Sequence, residues 1–554
     1  MKKFLAIVLA LVLVLGLCAC TGNNGGTTPG GEEQKNNPQS STDMSEKVKL
    51  SIGIPTNAMV LDHDNNALTK WIEEECNVEL TFVEYAGGTD VATQISTTIA
   101  ARQDLPDILF GISLSDSVIT RYGKDGYLRD LTEYYADKEG LAKTFWDRVN
   151  NELSEYDRDL VLRKITNPDT GAIYAVPCVE TSLIDKQGFR LWINQEWLDK
   201  LGLKAPTNNE ELVKVLKEFR DKDPNGNGIK DEIPLFTPKN VGGGIDWLIN
   251  LFVYFNTSRQ FLVDENTGKL THVRTTDEYR KALKFIKMLS DEKLLTSLAW
   301  TATGSEAKQI TTPSNGVALC GIFSAHLTTN CAMGNEVMYQ YVPLKTWGCA
   351  IRKDTSCSLT TFITESCDNP ERAFQMLMRM WSWDGSMRIR YGEKDVNWRL
   401  PDPGAKSDIG LDATYSLISD PLTQQNTSKW AKIASTLNVY AEGETAQVAE
   451  DMDEWTKRKS QLHAENYALF CESEEENNPK IICPTLIYTE EEKDLTSMER
   501  TNTSDRMERA MGEFCTGVLD PNKDSDWNAY LKEVNDLGLP IWLELAQTTY
   551  DKQK

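Results

Sequence analysis

Histidine is scarce, with four in 554 residues, and the chain has no C-x-x-C pair, no H-E-x-x-H, no G-x-S-x-G and no glycine loop of the phosphate-cradling kind. The layouts of the common zinc sites, serine hydrolases and P-loop proteins are therefore missing. Positive charge is also short. Lys and Arg total 59 against 83 Asp and Glu, and the net charge is −24. No Lys/Arg stripe offsets this, so the average field repels nucleic acid and anionic membrane surfaces and no nucleic-acid partner is expected. The most conspicuous apolar run, Phe4 to Leu17, is too short to span a bilayer comfortably. What is plentiful is ordinary globular material: 40% hydrophobic, 26% charged and 14 Trp. A chain of this length is expected to form two or three domains.

The first residues carry an address. "MKK" followed by the Phe4–Leu17 run and then "CAC" reads as an export signal. Leu17-Cys18-Ala19-Cys20 resembles a bacterial lipobox, which implies that Cys20 becomes a lipidated mature N-terminus held at the outer face of the cell membrane. Residues 1–20 are thus a signal peptide. The following 21–46 hold almost no apolar residue and read as a flexible tether. Ten of the 12 cysteines remain in the mature body. Pairing of Cys471 with Cys483, or Cys320 with Cys331, is conceivable in an exported protein and is left open by sequence alone.

In the body, period-two and helical patterns alternate. "VKLSIGI" (48–54) and "VELTFVEY" (78–85) read as strands around a helix with Leu68, Trp71, Ile72 and Cys76 on one face. A helix bearing Ile95 and Ile99, then a short strand 107–110, continue the series. This opens a doubly wound α/β sheet, whose ligands sit beyond the carboxyl ends of the strands. "AIYAVPCVET" (172–181) reads as a buried strand broken by Pro177. Thr207 reads as the cap of a helix with Leu212, Val215, Leu216 and Phe219 inward, and Asn369 with Pro370 as the start of another helix.

The stretch "DPNGNGIKDE" (223–232) is the densest source of hard oxygen ligands. Counting from Asp223, positions 1, 3, 5 and 9 are Asp223, Asn225, Asn227 and Asp231. Gly228 at position 6 permits the tight turn, and Ile229 at position 7 offers its backbone carbonyl. Position 12 of an EF-hand is a bidentate Glu; here it is Pro234, and Glu232 has to supply that carboxylate. Three carboxylates and two carboxamides suit Ca²⁺ better than Mg²⁺ or a soft metal, and the ion would be structural. A solvated Asn-Gly turn is the alternative that spacing leaves standing.

"YAVPCVETS", "LWINQEWLDKLGLKAPTNNEELVKVLKEFRDKDPNGNGIKDEIPLF", "LPDILF", "YGKDGYLRDLTEYY", "YGEKDVNW" and the tail from "GEFCTGVLDPNKDSDW" onward together resemble family 1 of the extracellular solute-binding proteins, lipoprotein type. The resemblance covers nearly all of the chain after the tether. It implies a periplasmic-binding-protein-like (type II) two-lobe α/β fold with doubly wound sheets joined by a hinge, and calcium held by Asp223, Asn225, Asn227, Ile229, Asp231 and Glu232. It also implies a monomer that holds an oligosaccharide between its lobes for the membrane permease subunits of an ABC importer. The expected division is 47–177 first lobe, 178–344 second lobe with the calcium loop 223–232, 345–390 return to the first lobe, and 391–554 a mostly helical part completing the second.

Sugar rings offer C–H faces to aromatic planes and hydroxyls to carboxylates and amides. By position, Asp246 and Trp247 in "VGGGIDW" are the first candidates for ligand contact, followed by Asn57 after the first strand, Asp116, and Trp398. Each Trp has a core role as its competing explanation. A secreted glycoside hydrolase with two carboxylates and a sugar-sensing receptor are the rival functions; no catalytic motif favours the enzyme, and none is expected.

Overall fold

The computed structural model describes residues 44–554 apart from 88–89, 182–189, 240–242, 326–335, 353, 408, 419–424, 431–432, 439–444 and 448–453. The signal peptide, Cys20 and nearly all of the tether lie outside the described residues.

Two sheets organise the body. In the first, β1 (Val48–Pro55) buries Leu50, Ile52 and Ile54 by alternation and runs parallel to β2 (Val78–Tyr85), Val48 opposite Val78. The intervening helix Ala67–Cys76 starts where the Asn66 side chain accepts the Leu68 N–H, and ends at Asn77 in the left-handed region. With β3 (Ile108–Phe110), β4 (Val176–Glu180), β11 (Ser356–Ile363) and β14 (Thr436–Asn438), the order is β14-β4-β11-β3-β1-β2. β11 alone is antiparallel to its neighbours, because it belongs to a chain coming back from the other sheet. Pro177 does not end β4. It sits within the strand opposite Leu359, beside an irregularity in β11 between Leu359 and Thr361, where a missing N–H is tolerated.

The second sheet has the order β10-β5-β9-β6, from β5 (Leu191–Asn194), β6 (Ile233–Phe236), β9 (Cys320–Ser324) and β10 (Tyr341–Pro343). The helix Asn209–Asp221 lays Leu212, Val215, Leu216 and Phe219 on it, the stripe read from sequence. Its cap is Asn208, which accepts the Glu211 N–H, rather than Thr207; Thr207 instead donates to the Glu211 carboxylate. Phe219 lies so close to Gly321 of β9 that a Cβ there would stand 2.3 Å from the ring. The helices Ser497–Thr516, Asp524–Asp536 and Leu539–Gln553 complete this core with Met507, Phe514, Trp527, Tyr530 and Trp542. Asn369, read as a cap, makes no capping bond; Pro370 at the first turn marks that helix start instead.

The chain crosses between the sheets after β4, after β10 and after β14. The crossings are stitched to one another. Thr181 donates its N–H to the Asn438 carbonyl (3.1 Å), and Thr355 Oγ1 donates to Asp157 Oδ1 (2.6 Å) and lies 2.8 Å from Thr181 Oγ1. The lobe boundaries therefore need one correction. The described residues between Tyr391 and Asn438 side with the first lobe rather than the second. β14 pairs with β4, and Trp430 is packed edge-on against Phe110 while its indole N–H donates to Thr69 Oγ1 at 2.9 Å. Only from the helix Glu454–Asn477 onward does the chain rejoin the second core, where it contributes Leu462.

The described cysteines, Cys320, Cys471 and Cys483 among them, are free thiols; Cys331 lies outside the described residues. Among the described residues no helix is long and apolar enough to cross a membrane.

Candidate functional site

The oxygen-rich loop leaves the helix Asn209–Asp221 and leads into β6, so two rigid elements hold its ends. Asp223 draws it round: Oδ1 accepts from the Gly226 N–H (2.9 Å) and Oδ2 from the Gly228 N–H (3.0 Å). Both glycines have φ near +75°, where a side chain is strained. Asp231 Oδ1 accepts from the side-chain amides of Asn225 (3.0 Å) and Asn227 (3.1 Å), and Ile229 is exposed. Glu232 differs from both Asp residues. Its two carboxylate oxygens are buried without a hydrogen-bond partner, and burial, with Asp223 and Asp231 beside it, pushes its pKa up. An all-oxygen donor set ending in an unsatisfied buried carboxylate fits a hard divalent cation. By side-chain convergence alone, no group of three or more His, Cys, Asp or Glu among the described residues forms a metal cluster.

Between the lobes lies a groove. One cavity of about 380 Å³ takes lining from Leu160, Lys164 and Cys357 of the first lobe and from Asp246, Asn256 and Arg259 of the second. Two further cavities, about 280 and 310 Å³, share Asp116, Lys164, Ile487 and Lys493. Lys164 lines all three, so they form one run. At its hinge end Asp354 accepts from Arg259 Nε (2.9 Å) of the second lobe, from the Tyr156 hydroxyl (2.9 Å) of the first, and from Thr485. The segment carrying Thr485 then reaches the first lobe, where Asp169 accepts the Glu490 N–H (3.1 Å) at the start of the helix Glu490–Leu495 and Lys493 approaches Asp116 (3.4 Å).

The groove brings together Asp246 and Asp116 of the candidates read from sequence. Burial raises the Asp246 pKa to about 7, with Glu508 adding and Arg274 opposing. Trp247 lines a different cavity, beside Leu344 and Phe470 inside the second lobe. Asn57 stands at the carboxyl end of β1, where its side chain accepts the Met59 N–H (2.9 Å), and lines none of these cavities. Trp398 is fully buried against Trp383, with its indole N–H on the Gly392 carbonyl, so its role is the core one. Sequence reasoning passed over Lys164, Arg259 and Arg500, which read as unremarkable charged residues; nothing local marks them, because the groove joins segments hundreds of residues apart.

Two lobes built on separate sheets, three stitched crossings and a groove between them match a type II two-lobe binding-protein-like fold. The chain is similar to proteins whose names record carbohydrate binding, a fructooligosaccharide ABC transporter substrate-binding protein and a polygalacturonan/rhamnogalacturonan-binding protein among them. No family model matches the chain. It is 25% identical over 523 residues to the fructooligosaccharide ABC transporter substrate-binding protein FusA of Streptococcus pneumoniae serotype 4, covering 89% of this chain and 88% of FusA. It is 31% identical to lipoprotein LipO of Bacillus subtilis over 166 residues, 28% of this chain and 31% of LipO. The solved structure of an HMO-binding, ABC-transporter-associated solute-binding protein from Bifidobacterium longum infantis superposes with a TM-score of 0.70 at 20% identity, covering 91% of this chain and 99% of that one. An EF-hand mutant of S. pneumoniae FusA in complex with fructo-nystose gives 0.64 at 21% identity, covering 91% and 99%.

Proposed function

We propose that this protein captures an oligosaccharide in its interlobe groove and passes it to the permease of an ABC importer, as a lipid-anchored receptor on the outer face of the membrane. The observation that carries this reading is the groove itself: it is lined from both lobes beside the chain crossings, so a ligand touching both sides would favour a closed state by the contacts it gains there. Similarity to FusA along most of both chains supports the carbohydrate class. The loop from Asp223 to Glu232 would hold Ca²⁺ through Asp223, Asn225, Asn227, the Ile229 carbonyl, Asp231 and Glu232. The ion supplies charge compensation and stiffness, and the groove residues do the binding. Catalysis has no part in this reading, and sugar capture does not require the ion to touch the ligand.

The test is a binding and turnover assay on the calcium-loaded mature chain with a panel of neutral and acidic oligosaccharides. Retained ligand with no new reducing ends is the expected result. Release of reducing ends points to a hydrolase instead, and failure of a folded protein to bind any sugar refutes the reading. Anchoring is checked separately: Cys20→Ser is expected to move the protein from the membrane fraction to the medium.

A further inference from the structure

The charge lining one cavity of the groove is opposite to that of the molecule. On a chain of net charge −24, the 310 Å³ cavity is lined by Lys164, Arg259, Lys493 and Arg500 and by only one carboxylate, Asp116. Two of the four cations are spoken for. Arg259 is paired with Asp354, and Lys493 with Glu490 and Asp116. The Lys164 side chain makes no ion pair or hydrogen bond among the described residues. Arg500 makes no ion pair among them either; its guanidinium rests on the Tyr488 ring at 5.0 Å, and its Nε is buried without a hydrogen-bond partner. Three aromatic side chains, Phe261, Tyr488 and Trp542, line the same cavity and are largely buried in its wall.

The placement of the two uncommitted cations matters more than their number. Lys164 stands on the first-lobe helix Glu155–Ile165, and Arg500 on the helix Ser497–Thr516, which is built into the second-lobe core. They face one cavity from opposite lobes, so their mutual repulsion opposes closure. An anion between them reverses the sign. A neutral sugar hydroxyl could accept from the buried Arg500 Nε, but it brings no charge to offset the repulsion between the two cations.

We infer that the cargo of this groove is a carboxylate-bearing oligosaccharide, a uronate, whose carboxylate bridges Lys164 of the first lobe and Arg500 of the second. This rests on the reading of the protein as an oligosaccharide receptor and narrows it to acidic sugars.

The experiment is isothermal titration of the calcium-loaded mature chain with a galacturonate trisaccharide, with its neutral methyl ester, and with neutral kestose. The acid is expected to bind about tenfold or more tightly than its ester and to weaken as salt is raised. Lys164→Gln and Arg500→Gln should each lower affinity for the acid about tenfold and for the ester by less, while Lys164→Arg restores it. Thermal midpoints without ligand establish that each variant is folded; if Arg500→Gln is not, the Lys164 pair decides. Equal binding of acid and ester, or acid binding indifferent to both Gln variants, overturns the inference. Binding of kestose but not of the acid overturns it while leaving the receptor reading intact, whereas failure of every oligosaccharide in the wider panel overturns the receptor reading itself.

Discussion

Glu232→Gln is the perturbation that best separates a calcium loop from a polar turn. In the loop, each Asp223 oxygen accepts one N–H, from Gly226 and Gly228, and Asp231 accepts from two side-chain amides, whereas both Glu232 oxygens are buried without a hydrogen-bond partner beside these negative neighbours. The raised pKa means that ionised Glu232 disfavours the folded state. That cost is absent below the ordinary carboxylate pKa, grows as pH rises through the raised folded value, and is complete above it. A bound divalent cation inverts the balance. With a site dissociation constant of about 0.1 mM, in the range for extracellular modules, ~10 mM calcium stabilises the fold by about 2.7 kcal/mol. For a lobe-sized unit, where each kcal/mol moves the midpoint by roughly 2–4 °C, the rise is roughly 5–10 °C. Differential scanning fluorimetry at pH 7.5, with calcium or with chelator, reads it directly. The wild type is expected to show the full rise. Glu232→Gln is expected to lose most of it, yet in chelator to melt no lower than the wild type, because the substitution removes a repulsion. A wild-type midpoint indifferent to chelator, or a Gln variant that keeps the full calcium shift, refutes the reasoning.

Three other substitutions probe the groove, the hinge and the core. Asp246→Asn should match the wild type near pH 4 and exceed it by roughly 1–4 kcal/mol at pH 8, since the cost of ionising Asp246 is absent below the ordinary carboxylate pKa and complete above about 7; denaturant melts at the two pH values measure it, and a loss at pH 8 would reveal an essential charged partner. Thr355→Val strips Asp157 and Thr181 of a shared buried hydrogen bond and should cost about 1–3 kcal/mol in the same melts. It should also broaden the ligand-free interlobe distance distribution in double electron–electron resonance, and an unchanged distribution would show that the seam does not govern the hinge. Trp398→Ala should cost about 3–5 kcal/mol with sugar affinity unaltered well below the midpoint. An affinity loss without a stability loss would make Trp398 a ligand contact.

Much of the fold was legible because period-two and helical patterns in the first lobe are clean: β1, β2, the helix between them and the Leu212–Phe219 stripe lie where the pattern puts them. The part that was misplaced, Tyr391–Asn438, has only short strands such as Trp398–Arg399 and Ser416–Leu417, too brief for periodicity to show which sheet they join. The oxygen-rich loop was visible as a linear motif because its donors fall within ten residues. The groove was not. Lys164, Arg259, Asp354 and Arg500 become neighbours only after three crossings, and a lone cation in an amphipathic helix looks like any solvated face. Trp398 illustrates the converse: an aromatic next to charged residues in sequence can still end as filler, because Gly392 offers its carbonyl to the indole.

The stitching of Thr181, Thr355 and Asn438 has a bearing on how cargo preference can change over time. Three adjoining strands tied at one seam resist twisting and sliding, which leaves a single swing as the inexpensive freedom. Whatever sugar fills the space, anything reading the outer surface meets one angle. Side chains such as Lys164 and Arg500 can then be exchanged to suit a new diet without redrawing the outward face, so appetite and recognition are free to drift separately.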